Sequence, residues 1–212
     1  MDLPAQMKTL NRRCVVCSPY RFLKRLVDFV LSIFLFIVFA PLMLFIALMI
    51  KLDSKGPVIY SQKRLGYKGR PFTIYKFRSM RADAEKEGRA VWAMKDDPRV
   101  TKVGAFLRAT HLDELPQLVN VIMGDMSLIG PRPERPEIAQ SLQEKLPRYF
   151  ERLNVRPGVT GLAQVRHRYD ADIRDVAIKL KYDLFYIEHL SLPMDLMVIL
   201  ETIEHMLLGK GV

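Results

Sequence analysis

Asp113 and Glu114 stand side by side just ahead of Pro116, in a chain whose formal net charge is +10. Adjacent carboxylates repel, so such a pair is either a solvated helix start or a place where a cation or a reacting group draws on both charges. The neighbours favour the second. Arg108 lies about one helical turn upstream, Asp125 follows, and Arg132 is wedged between Pro131 and Pro133, whose rings restrict the backbone on either side. A reactive carboxylate, a second acid and fixed arginines are the parts of phosphoryl transfer: nucleophile, cation ligand and charge clamps.

The elements that must position these groups follow from local pattern. Leu112, Leu115, Leu118, Val119 and Ile122 recur at helical spacing, which predicts a helix from Leu112 to Met123 ended by Gly124. Proline is harmless only in the first turn, so Asp113 is expected at or beside the N-cap, where free N–H groups favour an ionised carboxylate and a bound phosphate. Upstream, residues 58–64 and 72–78 predict two strands joined by a glycine-rich turn at Gly66 to Gly69. Lys76 and Arg78 then share a strand face and are placed to meet a phosphate, or simply form a basic edge. Residues 82–99 are polar, without a period, and read as a loop. Residues 134–152 and 173–207 carry helical periodicity suited to core packing or to a membrane interface.

One segment differs from the rest. Residues 29–50 carry no charge, and these 22 positions would make a helix of roughly 33 Å, about the thickness of a hydrocarbon core. The run is too long for a signal-peptide core and no small-residue cleavage site follows. Basic residues flank it on both sides, from Lys8 to Arg25 and from Lys51 to Arg81, so both flanks are expected to be cytoplasmic. Pro41 removes a hydrogen bond to Ile37 and predicts a bend at Ala40 and Pro41. A re-entrant hairpin satisfies both observations; an ordinary spanning helix with a kink is the alternative. The chain therefore divides into a basic N-terminal segment (1–23), a membrane helix (24–50) and a compact domain (51–212). The fold class is α+β, mostly helical, with a short β-hairpin and interfacial amphipathic helices.

Three blocks, "YKFRSM", "LRATHLDELPQLVNVIMGDMSLIGPRP" and "RPGVTGLAQV", resemble the signatures of the bacterial sugar transferases, the monotopic polyprenyl-phosphate phosphoglycosyltransferases. The resemblance runs from about Arg21 to Gly211. It implies a re-entrant helix broken at a proline, holding a catalytic domain on the cytoplasmic face of the bacterial inner membrane. It further implies that Asp113 attacks the β-phosphate of a UDP-sugar, releases UMP and passes the phosphosugar to polyprenyl phosphate. By the same resemblance Mg²⁺ binds Asp113, and Glu114 orients the nucleophile or serves as a base. Lys76, Arg78 and Arg108 clamp phosphates, Pro131, Arg132 and Pro133 shape the nucleotide site, and Asp125 and Gln164 join the substrate site. After "GLAQV" the family usually runs Asn-Gly-Arg, whereas this chain has Arg166-His167-Arg168-Tyr169, which leaves the sugar open.

Other chemistries are weaker. Cys14 and Cys17 lack a second cysteine pair for zinc, the histidines show no metal spacing, and no Walker or dinucleotide loop is present. The chief rival is a non-enzymatic, polybasic scaffold or adaptor on acidic membrane lipids, which accounts for anchor and charge but not for the acid pair among arginines. A nucleic-acid partner is disfavoured because the basic residues track the anchor. A homo-oligomer stays open.

Overall fold

The computed structural model describes residues 20–81, 97–167 and 172–207. Cys14, Cys17, residues 82–96 of the expected loop, and Arg168 with Tyr169 lie outside these described residues. The chain opens with α1 (Tyr20–Asp53), a 34-residue helix containing Pro41. Among the described residues it is the one helix long and apolar enough to cross a membrane. Phe34, Ile37 and Leu44 are 59%, 66% and 73% exposed, an arrangement that water would penalise and lipid would not.

The expected hairpin break does not interrupt α1, which remains one helix across Ala40 and Pro41. Proline removes a single hydrogen bond, and in an apolar run the remaining backbone groups have no better partner than the helix itself. Helix α1 also begins earlier and ends later than residues 24–50. Both of its ends rest on the rest of the protein. Near the start, Asp28 is buried and accepts from Ser127 Oγ at 2.7 Å and from the Leu128 N–H at 3.2 Å. Near the end, Ile46 and Ile50 pack with Phe77 and Leu107.

After α1 come β1 (Ile59–Leu65) and β2 (Pro71–Phe77), antiparallel with Lys76 opposite Tyr60. They match the strands read from the sequence to within a residue. Helix α2 (Lys102–Ala109) is capped by Thr101, which accepts from the Gly104 N–H. Helix α3 (Gln117–Met123) lies on β2 and packs Val121 against Phe72 and Ile74. It ends at Gly124, whose φ of 95° suits glycine, as expected.

The start of this region departs from expectation. Leu112–Glu114 form a 3-10 turn, and α3 begins only at Gln117 with Pro116 at its N-cap. An α-helix from Leu112 would aim the Leu112 carbonyl at residue 116, where proline has no N–H to give. That carbonyl accepts from the Leu115 N–H at 3.3 Å instead. Asp113 is therefore not a helix cap but sits in the turn before the helix.

Asn120 sets the spacing between α3 and β2. Fully buried, it accepts from the Tyr75 N–H at 3.1 Å and donates to the Thr73 carbonyl at 2.7 Å, occupying the edge of β2 as a neighbouring strand would.

Strands β3 (Ser127–Ile129) and β4 (Gly158–Thr160) form a parallel pair absent from the sequence reading. A Cβ on Gly158 would lie 2.1 Å from the Gly130 nitrogen, so only glycine lets these two segments meet. Between them run α4 (Pro136–Lys145) and a 3-10 stretch Tyr149–Asn154. Three helices close the chain: α5 (Leu162–Arg166), α6 (Ile173–Glu188) and α7 (Leu192–Leu207). Their core joins Leu162, Val165, Tyr186, Met194 and Val198 to Ile129, so the helical period over residues 173–207 serves packing on that face.

Candidate active site

Glu114 lies where three elements converge. From β2, Lys76 Nζ donates to its Oε1 at 2.7 Å. From the loop after β3, Arg132 donates to both of its oxygens, Nη2 to Oε1 at 2.7 Å and Nη1 to Oε2 at 3.4 Å. Lys76 and Glu114 are largely buried while Arg132 remains half exposed. Burial disfavours the Glu114 charge, but Arg132 and Lys76 more than offset it and hold the carboxyl well below its usual range. Burial lowers the Lys76 pKa, against the pull of Glu114. Glu114 is thus an ionised acid whose Oε1 accepts from two cations at once.

Asp113 has the opposite environment. Its residue is buried, yet its carboxylate makes no hydrogen bond among the described residues. Burial and the Glu114 charge raise its pKa above the ordinary value, against Lys76, Arg132 and Arg108. Two adjacent acids thus differ sharply: Glu114 accepts from Lys76 and Arg132, while Asp113 makes no hydrogen bond among the described residues and feels the same cations, with Arg108, only through space. The turn that presents them starts at His111, a non-glycine residue with φ of 56°. Such a conformation is held by its surroundings at a cost of order 1 kcal/mol.

The loop that delivers Arg132 is braced by its backbone. The Pro131 carbonyl accepts from Gly158 at 2.9 Å, the Arg132 carbonyl from Arg152 at 2.9 Å, and the Pro133 carbonyl from Arg64 at 3.3 Å. Arg152 is itself fixed by Asp183 at 2.8 Å. Arg64, Arg152 and Asp183 were not anticipated, because ion pairs between residues far apart in sequence leave no local pattern. A cleft behind this loop is lined by Pro131, Tyr149, Phe150 and Leu153, but Asp113 and Glu114 do not line it.

Other anticipated residues fall elsewhere. Arg108 donates to Ser79 Oγ at 2.8 Å, and its charge reaches Asp113. Arg78, expected beside Lys76 as a phosphate clamp, is buried and turns to the C-terminal end of α1. There it donates to the Ser54 carbonyl at 2.7 Å, Ser54 Oγ at 2.8 Å and the Lys55 carbonyl at 3.2 Å. A cation bonded to carbonyls at a helix C-terminus acts as a structural cap, and none of these bonds reaches the acid pair. Asp125 ties its backbone N–H to the Asn120 carbonyl at 3.0 Å, and among the described residues no hydrogen bond links it to the acid pair. Gln164 donates to the Val159 carbonyl at 3.2 Å, while its buried Oε1 has no partner. Of the departure after "GLAQV", Arg166 pairs with Glu201 and His167 with Asp175.

For a metal, no cluster of three or more His, Cys, Asp or Glu side chains suited to an ion occurs among the described residues. With Glu114 occupied, Asp113 is the one acid of the pair free to ligate. That donor set fits Mg²⁺ carried in by a phosphate substrate, since Mg²⁺ commonly takes one or two protein carboxylates and completes its shell with phosphate and water.

Residues 19–209 match the family model described as bacterial sugar transferase. The chain is 46% identical over 192 residues to the UDP-N-acetylgalactosamine-undecaprenyl-phosphate N-acetylgalactosaminephosphotransferase of Aeromonas hydrophila, covering 91% of this chain and 45% of that protein. It is 47% identical to the putative undecaprenyl-phosphate N-acetylgalactosaminyl 1-phosphate transferase of Bacillus subtilis, covering 72% of this chain and 81% of the relative. It is 41% identical to the exopolysaccharide production protein PSS of Rhizobium leguminosarum bv. phaseoli, covering 89% and 98%. The chain thus spans less than half the length of the Aeromonas relative and nearly all of the Rhizobium one.

Proposed function

Because this chain belongs to the bacterial sugar transferase family, we propose that it moves a sugar 1-phosphate from a UDP-sugar to polyprenyl phosphate at a membrane surface, beginning assembly of a polysaccharide. The observation that carries the reading is the contrast within the acid pair: Asp113 makes no hydrogen bond among the described residues, while Glu114 accepts from Lys76 and Arg132. In this reading an Asp113 carboxylate oxygen bonds to the β-phosphorus of the UDP-sugar. The bond from that phosphorus to the bridging oxygen breaks, and UMP departs with the electron pair. A polyprenyl phosphate oxygen then attacks the same phosphorus, and the Asp113 carboxylate is released. Lys76, Arg132 and Arg108 stabilise the charge on the phosphoryl oxygens. Glu114 keeps Lys76 and Arg132 in place and leaves the attacking role to its neighbour. Mg²⁺, held by Asp113 and the diphosphate, would neutralise the charge of the incoming diphosphate.

The full chain in detergent, given polyprenyl phosphate, Mg²⁺ and a panel of UDP-sugars, is expected to release UMP from at least one of them and to stop when EDTA is in excess. No UMP from any sugar would favour the scaffold reading, and full turnover in EDTA would remove the metal. The names of the relatives include N-acetylgalactosamine and glucose donors, and the panel distinguishes these.

We further propose that α1 is re-entrant, with both ends on the cytoplasmic side. Support comes from Asp28 and Ile50 resting on the same folded domain while Phe34, Ile37 and Leu44 between them stay exposed, and from the basic flanks. Single cysteines at positions 21 and 55, with Cys14 and Cys17 replaced, should both resist a membrane-impermeant thiol reagent in intact cells and both react after permeabilisation. Labelling of either from outside would exclude the arrangement.

A further inference from the structure

Where α1 begins, four cations gather with no carboxylate paired to any of them among the described residues. Arg25 donates to the Val121 and Ile122 carbonyls at 2.6 and 3.0 Å, and Arg156 Nε donates to the Gly124 carbonyl at 2.8 Å. Both guanidinium groups therefore sit at the negative end of α3. One turn earlier on α1, Arg21 donates to the Asn154 carbonyl at 2.9 Å. The Tyr67 ring collects them: Arg21 and Arg156 lie 5.5 and 5.8 Å from its centre and the Lys68 ammonium 5.4 Å. Their protein partners are carbonyls and the ring face, which orient these side chains without cancelling their charge. Among the described residues no carboxylate pairs with any of the four. The crowding shows at Arg156, whose pKa is pulled down by burial and then by the Arg25 and Arg21 charges, more than Asp28 and Tyr67 raise it.

We propose that Arg21, Arg25, Lys68 and Arg156, around Tyr67, bind the phosphate headgroup of an anionic phospholipid. Arg156 commits only its Nε to the protein, leaving both terminal nitrogens of its fork for a phosphate diester. A lipid rather than a free anion fits because the cationic row continues into an apolar one. Arg21, Arg25 and Phe29 follow at four-residue spacing on α1, with the Arg25 guanidinium 5.8 Å from the Phe29 ring. A headgroup held by the arginines would lay its acyl chain along Phe29 and the exposed apolar surface beyond it. The depth is also right: the cluster precedes the apolar run directly, at the level where basic and aromatic residues meet headgroups.

This inference rests on the membrane reading of α1. The test uses the full chain in nanodiscs of equal phosphatidylcholine and phosphatidylglycerol, with lipids that stay bound on gentle release counted by native mass spectrometry. The wild type is expected to retain phosphatidylglycerol in clear excess. Arg156→Gln combined with Lys68→Asn should lower that excess about tenfold or more, while Arg156→Lys should keep most of it. Neither residue touches the acid pair, so UMP release in neutral detergent should survive and report an intact fold. Equal retention of the two lipids by the wild type would overturn the proposal, as would an excess unchanged in the double variant. Displacement of the lipid by inorganic phosphate would show a plain anion site and overturn it too. Failure to enter nanodiscs at all would instead remove the membrane reading and this inference with it.

Discussion

Asp113→Asn is expected to lower turnover by at least about 1,000-fold while leaving the fold intact. Asparagine has the same shape and lacks the anionic oxygen that attacks phosphorus. The replacement forfeits no hydrogen bond, because the Asp113 carboxylate makes none among the described residues. It also removes a carboxyl whose charge is disfavoured by burial, so thermal stability should hold or rise. Intact-protein mass spectrometry with a UDP-sugar and no acceptor should show one phosphosugar added to the wild type and none to the variant. A wild type that stays unmodified yet turns over normally once acceptor is supplied would mean direct transfer, with Asp113 relegated to holding the metal.

Glu114→Gln should be as damaging by a different route. It leaves Lys76 largely buried without its counter-charge and frees Arg132 from the turn. Breaking a buried pair from one side destabilises by about 3 kcal/mol, readable as a lower urea midpoint. The dependence on pH separates the two acids. Glu114 has a depressed folded pKa, so its contribution is complete above its ordinary value of 4.5 and is lost as pH falls through the folded value. Asp113 has the opposite sign: its raised folded pKa favours the folded state at low pH, and that contribution fades as pH rises through the folded value. In Glu114→Gln the acid-side loss of stability should shrink. The acid limb of residual kcat/KM should move to lower pH, because the negative charge that helped raise the Asp113 pKa is gone. An acid limb that stays in place would show that Glu114 does not govern the ionisation of Asp113.

The same acid pair shows what was legible in the sequence and what was not. Residue type and proximity were enough to single out Asp113, Glu114, Arg108 and Arg132 together, because the Pro-Arg-Pro loop restricts its backbone and Pro116 was read as fixing a helix start, although the structure puts a 3-10 turn there. The division of labour was not legible. It depends on which carboxylate Lys76 and Arg132 reach, and those residues lie 38 and 18 positions away. Arg78 shows the converse error. Two residues from Lys76 on a strand, it was expected to join Lys76 at a phosphate, but the carbonyls just past the end of α1 engage it instead.

The sequence by itself determined the elements whose cause is local: the apolar run of α1, the β1 and β2 hairpin with its turn, the glycine that ends α3, and the chemistry available between Arg108 and Pro133. Each follows from period, chirality or side-chain type within a few residues. Tertiary structure alone decided the rest. Strands β3 and β4 are too short to alternate visibly and exist because Gly130 and Gly158 allow two distant backbones to touch. The bracing of Arg132 by Arg152 and Asp183 and the unequal ionisation of Asp113 and Glu114 arise from charges and carbonyls brought together by folding. Burial amplifies those interactions, and burial is a property of the assembled chain rather than of any stretch within it.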